Sequence, residues 1–299
     1  MPAKGERRPL HRACHTAENA MRFFKMHGAG NDFVVLYLRD GAAAPSPALC
    51  RALADRHAGI GCDQVLTIEP SADPSVAARY GIFNADGSRA GQCGNGARCV
   101  AAFVERDARR RGQTLGARFW LESPVGRHAV EMLGDGLVRL DMGRPDFDPV
   151  HVPIAGFAPA DEYALTVEGA TIRFGAVSMG NPHAVIRVDD IDSVPLQHLG
   201  AALQRHPAFP DSVNVGVAQF VDASHLRLRV YERGVGETRA CGSGACAAAA
   251  VFIRRGWCDR RVRVDLPGGR LHIEWPSEDA PLTLAGPAAF VFEGEWLDE

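Results

Sequence analysis

Lysine is nearly missing from this sequence: 299 residues include 31 arginines but only two lysines, Lys4 and Lys25. A pyridoxal-phosphate enzyme needs a lysine for its Schiff base, and only Lys25 falls inside the expected fold, which argues against that class. No apolar run approaches the ~18 residues of a membrane helix, so no membrane partner is expected. The net charge of −3 leaves no global basic field for nucleic acid. None of the eight cysteines forms a C-x-x-C pair, which removes most zinc and thioredoxin-like readings. Residues 1–20 carry no apolar signal core and read as a flexible extension ending before Met21. His11, Cys14 and His15 lie in that stretch without a fourth ligand nearby, so no metal site is expected. Nothing routes the chain out of the cytoplasm, and its thiols are expected to be reduced.

What the sequence does contain is ordinary globular composition, 46% hydrophobic and 23% charged, at a length of roughly two domains. It also repeats itself. Cys93-Gly94-Asn95-Gly96-Ala97 recurs 148 positions on as Cys241-Gly242-Ser243-Gly244-Ala245, and Gly30-Asn31 recurs 150 positions on as Gly180-Asn181. Gln64 with Asn214 and Asn84 with Glu232 keep the same offsets, as a duplicated domain would. Two similar lobes facing each other are expected: 21–143, joined by the C-terminal strand 287–299, and 144–286.

Most of each half reads as strand. Phe33–Leu38, Arg118–Leu121, Val213–Val221, Leu226–Tyr231 and Val262–Val264 are rich in β-branched and aromatic residues. Leu266–Leu271 reads as a hairpin around Pro267-Gly268. Helix follows each C-G-x-G-A motif and stops at Arg109-Arg110-Arg111-Gly112 and at Arg254-Arg255-Gly256, where arginines suit the dipole and glycine permits a left-handed cap. Val100–Val104 and Ala247–Val251 offer no wide polar face, so each helix should be wrapped by its sheet. The fold class is therefore α/β of the α+β type: two pseudo-symmetric lobes, each a mostly antiparallel, barrel-like sheet around one main helix.

Two glycines at each helix start need a reason, because glycine is roughly 1 kcal/mol worse than alanine in a helix. One reason is tight packing against a strand. The other is close backbone approach to an anion, with N–H groups and the positive dipole end aimed at a carboxylate. A cysteine at such a helix end should have its thiolate stabilised and its pKa lowered. Two such thiols in one cleft suit the inversion of a carbon bearing hydrogen beside a carboxylate: one base removes a proton from one face, and an acid returns one to the other. Paired helix ends would stabilise the charge that develops on the carboxylate. No cofactor is required.

These residues resemble the diaminopimelate epimerase family. The matching runs are Phe24–Phe33, Gly59–Gln64, Asn84–Ser88, Gln92–Cys99, Gly180–His183, Val213–Gly216, Tyr231–Thr238 and Ala240–Ala245, in family order from about Met21 to the end. The extension before Met21 and the segment Arg89-Ala90-Gly91 depart from the family pattern. The resemblance implies that Cys93 and Cys241 are the proton-transfer thiols, with the amides of Gly94, Asn95, Gly242 and Ser243 holding the reacting carboxylate. It further implies that Asn31, Gln64, Asn84, Asn181 and Asn214 bind substrate, that Glu232 and Arg233 bind its distal end, and that His183 and Glu232 tune the thiols. A homodimer with a small-molecule substrate, diaminopimelate, is the family habit.

Other readings remain in view. Gly28-x-Gly30 lacks the third glycine and the following helix of a dinucleotide loop, and is rejected as one. A proline or hydroxyproline racemase shares the two-thiol logic but binds a compact ring that needs no distal clamp. A binding protein or redox sensor on the same scaffold would not need both thiols and all the amides intact.

Overall fold

The computed structural model describes residues 21–38 and 42–297. The extension 1–20, with His11, Cys14 and His15, lies outside the described residues. The first half runs β1 (Met21–Gly28), β2 (Asn31–Tyr37), α1 (Pro47–Ala54), β3 (Gln64–Glu69), β4 (Val76–Asn84), α2 (Gly94–Arg110), β5 (Arg118–Ser123), β6 (Gly126–Gly134) and β7 (Leu137–Asp141). The second runs β8 (Tyr163–Val167), β9 (Ala170–Ser178), β10 (Pro182–Val188), α3 (Leu196–Gln204), β11 (Asn214–Asp222), β12 (His225–Glu232), β13 (Gly236–Thr238), α4 (Gly242–Arg254), β14 (Arg261–Leu266), β15 (Gly269–Glu274) and β16 (Thr283–Pro287). The last strand, β17 (Ala289–Trp296), returns to pair antiparallel with β1.

The duplication is visible in how the strands pair. One ribbon runs β17-β1-β2-β3-β4-β5-β6-β7. The other runs β8-β9-β10-β11-β12-β14-β15-β16. Equivalent edge strands β7 and β16 pair antiparallel, from Asp141↔Thr283 to Leu137↔Pro287, and join the ribbons. Parallel pairs occur at matching places: β2–β3 and β10–β11, then β4–β5 and β12–β14. Each parallel step needs a crossover, and each crossover carries a helix. Phe33 stands beside Gln64 in the first ribbon and His183 beside Asn214 in the second, so the 150-residue offset survives in the register.

Helices α2 and α4 are buried against these sheets. Apolar residues from Ala97 to Val104 and from Ala245 to Ile253 share one continuous core with residues of β1–β7, β9–β12 and β14–β16. Eleven of the 13 residues of α4 are buried, as its lack of a polar face requires. Gly112 and Gly256 close α2 and α4 at φ +70° and +67°, in the left-handed conformation that only glycine adopts cheaply. The reading of one main helix per lobe overlooked α1 and α3, two short helices that cap satellite cores. In α1, Ser46 accepts from the Leu49 N–H and Pro47 opens the first turn, a start signal too short for periodicity to reveal.

Candidate active site

Both thiols sit at helix N-caps. Cys93 is extended at φ −151°, ψ 106°, and its Sγ accepts from the Gly96 N–H at 3.3 Å. Cys241 is extended at φ −117°, ψ 109°, at the start of α4. The glycines after them divide the two expected roles. A Cβ on Gly96 would meet Leu66 at 3.2 Å and the Cys93 sulfur at 3.5 Å, and one on Gly244 would meet Val230 at 2.9 Å and the Cys241 sulfur at 3.3 Å. Those two are glycines for clearance. A Cβ on Gly94 or Gly242 would find nothing nearer than ordinary contact distance, Met142 at 3.6 Å and Leu284 at 3.4 Å, so these two positions are not glycine for want of space.

The two helix ends abut. A Cβ on Gly242 would lie 3.6 Å from Asn95 Oδ1 and 3.9 Å from Gly94 Cα. Asn95 Nδ2 donates to the carbonyl of Ala240, the residue before Cys241, at 3.1 Å, and to Asn31 Oδ1 at 3.2 Å. The Cys93 thiol also points at Asn31 Oδ1, 3.7 Å away. The Cys241 thiol donates to Glu232 Oε2 at 3.0 Å, while Thr238 Oγ1 donates to Glu232 Oε1 at 2.5 Å. Ser243 Oγ lies 3.6 Å from the Cys241 sulfur, receives Asn181 Nδ2 at 3.3 Å, and is 3.2 Å from His183 Nε2. Thus Cys93, Asn31, Gly94, Asn95, Cys241, Gly242, Ser243, Glu232, Asn181 and His183 form one chain of contacts.

The remaining residues named from the sequence stand at neighbouring strand ends. Gln64 Nε2 donates to Asn84 Oδ1 at 2.9 Å, so these two bond each other rather than the thiol turns. Asn214 donates to the Pro182 carbonyl and accepts from the Arg233 N–H, each at 2.9 Å. The exposed Arg233 guanidinium donates to the Asp211 carbonyl at 3.0 Å. Glu232 is therefore engaged with a thiol, and the Arg233 guanidinium with a backbone carbonyl.

Electrostatics reverse one expectation. Burial pushes the Cys93 thiol up to about 11, and the Glu232 carboxylate adds to the rise; the Gly96 and Asn95 N–H groups and Arg98 pull in the opposite direction without winning. Cys241 is held well above the ordinary range by burial and then by Glu232. Helix-end amides do favour the thiolates, but dry surroundings and one nearby carboxylate outweigh them. The two sulfurs still differ. The Gly96 N–H donates to Cys93 at 3.3 Å, while the Cys241 thiol donates to the Glu232 carboxylate at 3.0 Å.

His183 is 1% exposed, and burial, helped by the Arg233 charge, lowers its pKa to about 3. The neutral ring belongs to the folded state and the cation to the unfolded one. This group's contribution is complete above the ordinary pKa of ~6.5 and is lost as the pH falls from there toward the folded value. Urea unfolding at pH 8, 5 and 4 should show stability falling with acid, and His183→Asn should lose less over the same interval. Equal losses in both proteins would refute this assignment.

Three residues of this site were not picked out from the sequence. Thr238 holds Glu232. Asp63 accepts Asn31 Nδ2 at 2.8 Å and is itself held by Arg56 at 2.7 Å, which turns the Asn31 carbonyl oxygen toward Cys93. Arg98 is fully buried one turn beyond Cys93; a charge inside an otherwise apolar helical stretch was the available signal. Among the described residues, no group of three His, Cys, Asp or Glu side chains is placed to hold a metal, and no helix is long and apolar enough to cross a membrane.

With this geometry in place, the chain can be compared with known proteins. The family model described as diaminopimelate epimerase matches residues 23–147 and 175–291, which include both thiol turns. The chain belongs to the diaminopimelate epimerase family. A protein named diaminopimelate epimerase from Xanthomonas axonopodis pv. citri is 61% identical over 277 residues, covering 92% of this chain and 96% of its own. Its namesake from Xanthomonas euvesicatoria pv. vesicatoria is 59% identical over the same span, again 92% of this chain and 96% of its own. The chain is accordingly an isomerase of the epimerase type. A probable proline racemase from Agrobacterium radiobacter K84 shares the fold, with a TM-score of 0.65 over 92% of each chain at 15% identity.

Proposed function

We propose that this protein epimerises LL-2,6-diaminopimelate to the meso isomer without a cofactor, by two-base chemistry at Cys93 and Cys241. The observation that carries the reading is the pair of cysteines capping two abutting helix N-termini, one facing an N–H and the other donating to a carboxylate. The Cys93 thiolate takes the α-proton from one face. The electron pair left on carbon spreads into the substrate carboxylate, which the N–H groups of Gly94, Asn95, Gly242 and Ser243 hold at the two helix ends. The Cys241 thiol then delivers its proton to the opposite face, leaving Cys93 as thiol and Cys241 as thiolate. Glu232 beside the new thiolate repels it and promotes its reprotonation, which resets the pair.

The amides Asn31, Gln64, Asn84, Asn181 and Asn214 suit a doubly zwitterionic substrate, and Arg233 offers a guanidinium fork for its distal carboxylate. His183 acts on Cys241 through Ser243. We place the lobes at 21–143 with 287–299, and at 144–286; the β17–β1 pairing supports the first of these. A cytoplasmic homodimer serving lysine and peptidoglycan precursor synthesis completes the reading.

The test is incubation of reduced protein with LL-diaminopimelate in D₂O, followed by NMR. Formation of the meso isomer with deuterium at the inverted carbon is the expected result. Exchange with proline or hydroxyproline and none with diaminopimelate would transfer the enzyme to the compact-ring racemases.

A further inference from the structure

Arg98 is 0% exposed, and no carboxylate lies within ion-pair distance of it among the described residues. Its Nη2 donates to Asn95 Oδ1 at 2.8 Å, its Nη1 to the Gly94 carbonyl at 3.3 Å, and its Nε to the Pro287 carbonyl at 3.3 Å. The ionisable groups that act on it are three thiols, Cys99, Cys93 and Cys246. Two glycines border it: a Cβ on Gly28 would lie 3.0 Å from the Asn95 carbonyl oxygen and 3.2 Å from Nη2, and one on Gly286 would lie 2.5 Å from Leu271 and 3.1 Å from Nε. Burying an unpaired guanidinium is expensive even when its N–H groups find carbonyls. Sequences that merely need a packed helix fill such a position with an apolar side chain.

The partners show what the charge does. The Gly94 carbonyl and the Asn95 N–H belong to one peptide unit. A charge-assisted hydrogen bond to the carbonyl polarises that unit and makes its N–H a stronger donor on the opposite side. That N–H favours the Cys93 thiolate, alongside the Gly96 N–H that donates to the sulfur at 3.3 Å. The contact with Asn95 Oδ1 leaves Nδ2 free to bridge Asn31 and the Ala240 carbonyl, the link between the two thiol turns. We propose that Arg98 is a positioning residue for the epimerisation: it strengthens the Asn95 N–H toward the Cys93 thiolate and the reacting carboxylate, and holds the two thiol turns in register. The proposal rests on the reading of Cys93 as the proton acceptor.

The experiment measures ionisation of Cys93 without substrate. The rate of iodoacetamide alkylation at Cys93 is followed from pH 6 to 10 by peptide mass spectrometry, in Cys241→Ala protein carrying Arg98, Arg98→Met, Arg98→Gln or Arg98→Lys. The other groups facing Cys93 are Glu232, Tyr80 and Cys99, and all remain in place. Cys93 titrates above this range, so its alkylation rate follows the small thiolate fraction: in the neutral variants the rate should fall about tenfold at every pH, and in Arg98→Lys it should stay near the parent. With Cys241 intact, every Arg98 variant should lose kcat by tenfold or more. A folded neutral variant alkylated as fast as the parent overturns the proposal, as does a Lys variant slowed as far as Met. If neither neutral variant folds, Arg98→Lys decides: parent-like Cys93 alkylation with a tenfold lower kcat supports the proposal, and wild-type kcat or tenfold slower alkylation overturns it. The thiol titration needs no turnover, so failure of the diaminopimelate reading would show separately, as a wild-type enzyme that does not exchange that substrate.

Discussion

Cys93→Ala and Cys241→Ala are each expected to lower kcat for epimerisation by at least about 10³-fold, while leaving melting temperature within a few degrees of the parent. The expectation follows from stereochemistry. Inversion needs a proton removed from one face of the carbon and another delivered to the opposite face, and neither thiol can reach both. The sulfurs are held apart by different partners, Gly96 N–H and Asn31 for Cys93, and Glu232 and Ser243 for Cys241. Alanine removes the proton carrier and little packing, since a thiol is a small hydrophobe. Steady-state rates with LL- and with meso-diaminopimelate, alongside circular dichroism of each variant, check the prediction. Turnover above a few per cent in either single variant would refute the two-base mechanism.

Gly268→Ala should cost about 3 kcal/mol of stability and roughly tenfold or more in kcat. The two-residue tip Pro267-Gly268 of the β14–β15 hairpin is wedged between the turns that lead to Asn31 and to Cys241. A Cβ on Gly268 would lie 2.1 Å from the Ala29 carbonyl oxygen and 2.9 Å from that of Arg239, and the Gly268 N–H already donates to Arg239 at 2.7 Å. Neither neighbour is a side-chain end that can swing away. Ala29-Gly30 is the turn that delivers Asn31, and Arg239 lies two residues before Cys241. A methyl group there must displace the Asn31 turn or the Cys241 turn. Gly116→Ala is the control: its Cβ would meet only the Arg118 carbonyl at 3.6 Å, and it should fall within ~0.5 kcal/mol of the parent. Calorimetry with kcat and KM for both variants decides the matter. Parent-like melting and turnover in Gly268→Ala would mean that the hairpin tip is not a wedge.

Much of this molecule is legible without coordinates because its signals are local or repeated. The 148- and 150-residue offsets appear directly as strand register, Phe33 beside Gln64 and His183 beside Asn214. The helix starts at Cys93 and Cys241, and their glycine caps at Gly112 and Gly256, depend on backbone preferences within a few residues. The short helices α1 and α3 escape the same reading, since one or two turns carry too little periodicity to stand out.

The sequence by itself determined which residues could do chemistry, the duplication that pairs them, and the open helix ends that favour an anion. Only the tertiary structure decided how they act on one another. Asn95 meets Ala240 across 145 residues, and Glu232 binds the Cys241 thiol because β12, β13 and α4 bring them together. The direction of the thiol pKa values belongs to the same class. A helix N-terminus is a local property that lowers them, whereas burial and a neighbouring carboxylate are set by the whole fold and raise them. Arg98 joins both sides of this division: its place in an apolar helix is written in the sequence, but its contacts with the Gly94, Asn95 and Pro287 oxygens, with no carboxylate in ion-pair distance among the described residues, emerge only in the fold. Backbone preference acts over one turn of chain, and desolvation acts over the packed volume that all the elements share.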